Sequence, residues 1–131
     1  DLNDEKNNTD CINCSNDLDW KFIATVKKSV EDNMDNPSFN VDVLCNLLNM
    51  SRTSFYNKIK ALTDQAPADY IRLIRLKHAA QLLKEQKHTI TEISEMTGFS
   101  DAKYFREVFK KHFNMSPSQY AKKGKDDKEI K

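Results

Sequence analysis

Glycine and proline are scarce in this chain, with two glycines and three prolines in 131 residues. Because both residues break regular helix, their scarcity favours long uninterrupted helical segments. No run of alternating polar and apolar residues is long enough to indicate a strand. No hydrophobic run approaches the ~18 residues that a membrane span needs, and no segment resembles a signal peptide. The sequence therefore predicts an all-α protein without membrane contact.

Cysteine is also scarce, and its three copies do not form the pattern of a metal site. Cys11 and Cys14 make a lone Cys-x-x-Cys in a polar leader, and no second Cys or His pair follows at ligand spacing. Cys45 lies in an apolar helical run, where a small thiol is suited to burial. We therefore expect no metal ligands and a reducing, cytoplasmic setting.

Motifs of catalysis are missing as well. The chain has no Gly-rich phosphate loop and no nucleophile motif, and His78, His88 and His112 have no Cys, Asp or Glu constellation near them in the sequence. The sequence therefore predicts no enzyme activity, no catalytic residue and no cofactor for this chain.

The charges are unevenly distributed, although the formal net charge is only +1. Six of the 20 acidic residues and one of the 21 basic residues fall in the first 20 positions, which leaves 20 bases against 14 acids in the remainder. An acidic leader on a basic body indicates an anionic partner. At this point a solvated helical surface explains the same charges equally well.

Seven helices are predicted from apolar residues at three- and four-residue spacing. Asp19 is the expected N-cap of the first, which ends near Asn36 because Pro37 disfavours helix before it. The other predicted helices are Val41–Asn49, Ser51–Thr63, Pro67–Glu85, Thr91–Thr97, Asp101–Phe113 and Pro117–Lys122. The predicted domain is 19–122, between a flexible acidic linker at 1–18 and a charged, frayed tail at 123–131.

A short-helix, turn, helix arrangement occurs twice, at about 41–63 and about 91–113. Before the turn, an offset of 49 residues matches Val41, Leu44, Leu47 and Met50 to Ile90, Ile93, Met96 and Phe99. After it, an offset of 50 matches Phe55, Ile59, Pro67 and Tyr70 to Phe105, Phe109, Pro117 and Tyr120. The first helix of each copy is expected to bury its three apolar residues, among them Leu47, and each turn to place Met50 or Phe99 in the core. The sequence therefore predicts two copies of one helix-turn-helix unit.

A serine is expected to cap the second helix of each copy. Ser51 is the candidate in the first copy, and Ser100 in the second, with Asp101 as an alternative because that turn is one residue longer. The helix Pro67–Glu85 would join the copies as a rod of about 28 Å. Helices that read successive major grooves lie about 34 Å apart, so a rigid linker of this length suits DNA.

Two segments resemble a known family: IRLKHAAQLL and ITEISEMTGFSDAKYFREVFKKHFNMSPSQY. Together with the two-copy layout, they are similar to the AraC/XylS-type DNA-binding domain of bacterial transcription regulators, over roughly Phe22–Lys122. The second copy carries the stronger likeness. The first is looser, with Gln-Ala-Pro where the second has Ser-Pro. The resemblance implies two homeodomain-like three-helical subdomains joined by a long linker helix.

The resemblance also implies which side chains meet double-stranded DNA. Base contacts are expected from Arg52, Thr53, Tyr56, Asn57, Lys103, Arg106 and Glu107. Phosphate contacts are expected from Ser51, Ser54, Lys58, Lys60, Ser100 and Lys110. Arg suits guanine, Asn adenine and Glu cytosine, which agrees with these positions. Asn57 stands where many relatives hold Arg, so the identity of the base that it contacts is left open. For Tyr56, packing at the edge of the core is an alternative to a base contact.

The first copy and the linker helix look most like the C-terminal output domain of Bacteroidetes hybrid two-component regulators. Such proteins fuse a periplasmic sensor, a histidine kinase and a receiver to this domain. The missing initiator Met and the acidic leader fit a fragment cut downstream of a receiver. The expected partners are promoter or operator DNA, RNA polymerase and the receiver and sensor domains of the same chain, with a cytoplasmic location for this domain and an inner-membrane anchor for the full protein. A small stand-alone activator of the family is the alternative, followed by a helical protein-interaction module.

Overall fold

The computed structural model describes residues 13–130, and within the last helix it describes side chains as far as Gly124. This part of the chain contains seven α-helices and no strand, which confirms the all-α prediction. We number the helices in chain order. They are α1 Asp17–Asp32, α2 Val41–Leu48, α3 Arg52–Thr63, α4 Pro67–Glu85, α5 Ile90–Met96, α6 Ala102–Phe113 and α7 Pro117–Ile130.

The two ends of the chain differ from the predicted boundaries. Helix α1 begins at Asp17, and the side chain of Asn16 accepts from the backbone N–H of Asp19 at 2.9 Å. The prediction of Asp19 as N-cap was therefore wrong, because Asn16 satisfies that N–H one turn earlier. Helix α7 continues to Ile130 and does not fray at Lys122. The lysines and acids after that point are adequate helix formers, so the high charge alone does not end the helix. Residues 1–12 of the flexible linker predicted at 1–18 lie outside the described residues.

The predicted repeat is visible in the helix caps. The N-caps of α2 and α5 are Asn40 and Thr89, 49 residues apart. Helices α3 and α6 both end at a residue in the left-handed conformation with φ 61°, Asp64 and Asn114, which are 50 residues apart. Since caps are local hydrogen-bonding devices, their agreement with the hydrophobic offsets shows that the same unit is built twice.

The described chain divides into two compact units. Unit 1 holds the described residues up to Asp32 together with Phe39–Arg72, and unit 2 holds Asn33–Ser38 together with the chain from Leu73 onward. The border therefore falls inside α4, and a six-residue segment between α1 and α2 belongs to unit 2.

The core of unit 1 differs in one detail from the predicted pattern. Leu44, Phe55 and Ile59 are buried as expected. Leu47 is 58% exposed and Met50 is only half-buried, so the prediction that both enter the core was wrong. Cys45 is buried in α2 as predicted, and its position one residue after Leu44 moves the buried stripe away from Leu47. Burial raises the pKa of the Cys45 thiol.

The core of unit 2 is a chain of aromatic rings. Phe99 lies 5.1 Å from Phe105, Phe105 lies 5.7 Å from Phe109, and Phe109 lies 4.4 Å from Phe113, between ring centroids. These rings pack with apolar residues of α4 such as Leu76 and Leu83. Phe99 therefore enters the core from the turn, as the sequence predicted.

Candidate nucleic-acid interface

The second helix of unit 1 presents a polar face opposite its buried one. Ser51 caps α3 by accepting from the N–H of Ser54 at 3.1 Å, as predicted. The buried residues of α3 are Phe55, Ile59, Leu62 and Thr63. All eight residues of this helix and its cap that the sequence assigned to DNA are exposed: Ser51, Arg52, Thr53, Ser54, Tyr56, Asn57, Lys58 and Lys60. The first copy thus carries its predicted contact residues on one accessible face.

A recess of about 370 Å³ lies beside this face. Its lining residues are Val41, Arg52, Thr53, Tyr56, Asn57, Ala66, Pro67 and Ala68. All four side chains predicted to contact bases in the first copy therefore border one concave surface. Tyr56 is 48% exposed, so its ring is accessible and does not belong to the buried core.

Two of the cations on this face already have partners in the free protein. The Nζ of Lys58 lies 4.4 Å from the ring centroid of Phe22, so a cation–π contact holds this side chain against α1. Arg52 makes an ion pair with Asp42, from Nε to Oδ1 at 3.2 Å. The sequence reasoning did not identify Asp42, since an acidic residue in the first turn of α2 is already accounted for by the helix dipole.

Helix α6 of unit 2 presents the corresponding face. Phe105 and Phe109 are buried, and the outward positions Lys103, Arg106, Glu107 and Lys110 are exposed. None of the ion pairs found among residues 13–130 involves these three cations. Their charges are therefore available to an anion.

The cap of α6 differs from the first expectation. Asp101 is the N-cap and accepts from the N–H of Lys103 at 2.9 Å, so the choice of Ser100 was wrong and the alternative holds. Asp101 lies 50 residues after Ser51, which keeps the caps in the register of the repeat. The extra residue of the longer turn thus lies before the cap. As a result, a carboxylate occupies the start of α6 where α3 has a neutral hydroxyl.

The turn before α6 is held by a buried arginine of α4. Arg75 of α4 is 5% exposed and its Nη1 donates to the carbonyl oxygens of Met34 at 2.6 Å and Thr97 at 2.8 Å. Its Nη2 donates to the carbonyl of Asn36 at 3.0 Å. Burial lowers the pKa of Arg75, and Asp35 opposes this. All of these groups belong to unit 2, where they fix the turn between α5 and α6.

Among the side chains that the structure describes, from residue 13 to residue 124, no three His, Cys, Asp or Glu lie together in a way that could hold a metal ion. None of the described helices is long and apolar enough to cross a membrane. Cys14 is disulfide-bonded, which the expected reducing setting does not favour, and Cys45 is a free thiol.

Comparisons with known proteins agree with this geometry. A family model described as a helix-turn-helix domain matches residues 44–123, more than half of the chain. Histidine kinase P4 of Formosa agariphila is 47% identical over 103 residues, which cover 79% of this chain and 8% of the kinase. The chain spans between 8% and 38% of the length of the first curated relatives it matches.

Solved structures of similar fold include domains of two regulatory proteins. The C-terminal domain of the two-component response regulator yesN from Fusobacterium nucleatum matches with a TM-score of 0.68 and 28% identity, over 75% of this chain and 95% of that one. The DNA-binding domain of the global transcriptional factor AdpA, solved with a target DNA, matches with a TM-score of 0.69 and 26% identity, over 75% and 87%. The described helices therefore have a fold that also occurs in a domain solved with its target DNA.

Proposed function

Because the chain belongs to the AraC-type family of helix-turn-helix transcription regulators, we propose that α3 and α6 are its two recognition helices and enter successive major grooves of an operator. DNA binding in transcription regulation is the function of the family. The observation that carries the proposal is the shared design of the two helices. Each follows a short helix and a turn, buries an aromatic residue in its first turns, and exposes basic side chains on the opposite face.

Base reading is assigned to the N-terminal halves of both helices. Arg52 and Arg106 can each donate two hydrogen bonds to guanine, Asn57 can pair with adenine, and Glu107 can accept from cytosine. The remaining base contacts of the proposal come from Thr53, Tyr56 and Lys103. The proposed phosphate contacts are Ser51, Ser54, Lys58, Lys60, Ser100 and Lys110. In this set Ser51 binds phosphate through its hydroxyl while its oxygen caps the helix.

Selection of bound sites from random DNA tests the two-groove arrangement. We expect two conserved base clusters about one helical turn, 10–10.5 base pairs, apart. A single cluster would mean that only one of the two helices reads bases. Binding to the selected site at several salt concentrations then counts the phosphates that lysine and arginine neutralise. A log–log slope shallower than about −2 would contradict the assignment of three lysines, Lys58, Lys60 and Lys110, to phosphates.

The division between base and phosphate contacts is tested by two substitutions on one helix face. Arg106→Ala should lower the preference for one base pair of the selected site, by about 1–3 kcal/mol. Lys110→Ala, one turn further along α6, should weaken binding to all sequences equally and reduce the salt slope by about one. If Arg106→Ala also weakens all sequences equally, Arg106 is only a phosphate anchor.

The whole protein is proposed to be a hybrid two-component regulator with this chain as its output domain. The 47% identity to a histidine kinase from Formosa agariphila supports this, as does the likeness to a response-regulator C-terminal domain. In this proposal a receiver and a sensor lie in the same chain, RNA polymerase is the partner on the promoter, the domain lies in the cytoplasm and the full protein is anchored in the inner membrane. A stand-alone activator is the second candidate.

The two architectures make different predictions for the full-length protein. A hybrid regulator purified in membranes should incorporate phosphate from labelled ATP and then bind the selected operator more tightly. A stand-alone activator should do neither. A protein-interaction module is less well supported, because the outward faces of α3 and α6 carry charges where a partner groove requires apolar anchors.

A further inference from the structure

The ion pair between Asp42 and Arg52 joins the two helices of the first helix-turn-helix. Asp42 lies in the first turn of α2, and Arg52 is the first residue of α3. The contact is made through Nε of the guanidinium, at 3.2 Å from Oδ1 of Asp42. Arginine carries five N–H donors in a rigid fork. The ion pair is recorded at Nε, so it leaves the Nη1 and Nη2 donors, which can pair with O6 and N7 of guanine, for another acceptor.

The ion pair is not needed to build the unit. At the matching positions of the second copy, Thr91 and Ala102 replace Asp42 and Arg52, and α5 and α6 still form with caps in the same register. The side chains of Asp42 and Arg52 are 61% and 74% exposed. Exposed ion pairs of this kind contribute little to stability, about 0–1 kcal/mol. The pair therefore calls for an explanation other than folding.

The surroundings of the pair supply that explanation. Arg52 borders the same recess as Thr53, Tyr56 and Asn57, so the carboxylate of Asp42 holds the guanidinium at the edge of the proposed base-reading surface. A free arginine side chain at this position would sample many rotamers and would bind phosphates as readily as bases. The carboxylate limits those rotamers and also repels phosphate from the same place.

We infer that Asp42 is a positioning residue for specificity, which aims Arg52 at a guanine of the operator and keeps it from the phosphate backbone. This inference rests on the proposed base-reading role of Arg52. It predicts two effects of opposite sign when the carboxylate is removed. Binding to arbitrary DNA rises because a negative charge leaves the DNA-facing surface, and discrimination at the base pair read by Arg52 falls.

The test measures dissociation constants of Asp42→Asn for the selected operator, for the operator with the relevant guanine replaced, and for random DNA at one salt concentration. We expect random-DNA affinity to rise about two- to fivefold and the specificity ratio at that base pair to fall about tenfold. Asp32→Asn is the matched control. It removes the same charge from another exposed ion pair of unit 1, with Lys28 at 3.5 Å, and should leave the ratio unchanged.

Two further variants separate orientation from charge and from folding. Asp42→Glu keeps the charge but moves the carboxylate by one methylene, so it should lower the ratio without raising random-DNA affinity. In an Arg52→Ala background, Asp42→Asn should no longer change the ratio. Thermal unfolding of each variant shows whether the unit remains folded, and the Arg52→Ala comparison is made only among folded variants.

The outcomes distinguish the inference from the proposed function. If Arg52→Ala lowers the ratio at one base pair and Asp42→Asn does not, the inference is overturned and the base-reading role stands. If Arg52→Ala changes no ratio, the proposed role of Arg52 is itself wrong. If Asp42→Asn and Asp32→Asn lower the specificity ratio equally, the effect is explained by net charge alone. That result would also overturn the inference.

Discussion

The guanidinium of Arg75 fills the space beside Gly98 where any other residue would place a side chain. A β-carbon on residue 98 would lie 2.6 Å from Cζ of Arg75 and 2.6 Å from the carbonyl oxygen of Met34. Gly98 also has φ +80°, a conformation that other residues adopt only with strain. The glycine of the second turn is therefore required by the buried arginine and by the backbone at once.

Gly98→Ala should lower the free energy of unfolding by about 2–4 kcal/mol, through steric overlap and backbone strain. Urea denaturation measures this directly. Gly124→Ala is the control, since a β-carbon there would meet only Cγ of Lys84, at 3.8 Å, in an open part of a helix. That change should raise the free energy by about 0.5–1 kcal/mol. Equal stability of the two variants would contradict the packing described around Arg75.

Replacing Arg75 should destabilise unit 2 because three carbonyl oxygens lose their donor. We expect Arg75→Met to lower the free energy of unfolding by about 2–4 kcal/mol. Arg75→Lys should retain only part of the free energy of unfolding that Arg75→Met loses, since a single ammonium cannot reproduce the planar guanidinium fork. Arg72→Met, one turn earlier on α4, removes only an exposed ion pair with Asp69 and should cost less than about 1 kcal/mol. A lysine variant as stable as the native protein would show that the fork geometry is unimportant.

The carboxylate of Asp101 should weaken binding of phosphate at the start of α6. Asp101→Asn keeps an N-cap, because Asn caps about as well as Asp, and removes the charge. Its affinity for random DNA should rise about two- to fivefold at low salt. The mirror change in the first copy, Ser51→Asp, also keeps a cap and should reduce that affinity. Fluorescence anisotropy with labelled random DNA measures the affinity of both variants. If the affinity rises in both or falls in both, the starts of α3 and α6 do not face DNA.

The capping box of α5 should make stability sensitive to acid. The Glu92 carboxylate accepts from the N–H of Thr89 at 2.8 Å, and its hydrogen bonds to Thr89 hold its pKa below the ordinary 4.5. A carboxylate with a lowered pKa in the folded state contributes stability that is complete above the ordinary pKa and is lost as pH falls through the folded-state pKa.

Glu92→Gln keeps an acceptor in the capping box but does not titrate, so it should be less sensitive to acid below pH 4.5. Urea denaturation at pH 6 and at steps below pH 4.5 gives the comparison. Glu95→Gln alters an exposed glutamate of the same helix outside the cap, and it should lose stability with acid as the native protein does. Parallel curves for all three proteins would mean that the box contributes nothing to the acid response.

Local signals made most of the architecture predictable. The bounds of α4 agree with the sequence because Pro67 starts it and no breaker interrupts it before Glu85. The repeat was recoverable because hydrophobic positions and helix caps obey the same two offsets. Burial within the repeat was less certain: Leu47 matches the half-buried Met96 in register but is exposed, because Cys45 takes part of the buried stripe in α2. Register fixes which positions correspond, and packing decides which of them are covered.

The features that could not be predicted from the sequence depend on contacts between residues that lie far apart in it. Arg75 is buried because backbone carbonyls 22 to 41 residues away accept its hydrogen bonds, and backbone acceptors leave no trace in residue types. The pair of Asp42 and Arg52 depends on how one turn brings the starts of two helices together. Both groups are charged residues that a pattern of hydrophobic periodicity assigns to solvent.

The path of the chain through the two units limits how the protein can be dissected. Unit 1 is interrupted by Asn33–Ser38, which hydrogen bonds from Arg75 attach to unit 2, and the border of the units falls within α4 rather than in a loop. Neither unit is a continuous stretch of sequence. A gene fragment that ends before α4 removes the residues of α4 that belong to unit 1. A fragment that ends after α4 keeps the half of the helix that belongs to unit 2. Half-site binding is better measured by disabling one recognition helix with substitutions in the intact chain than by expressing either half alone.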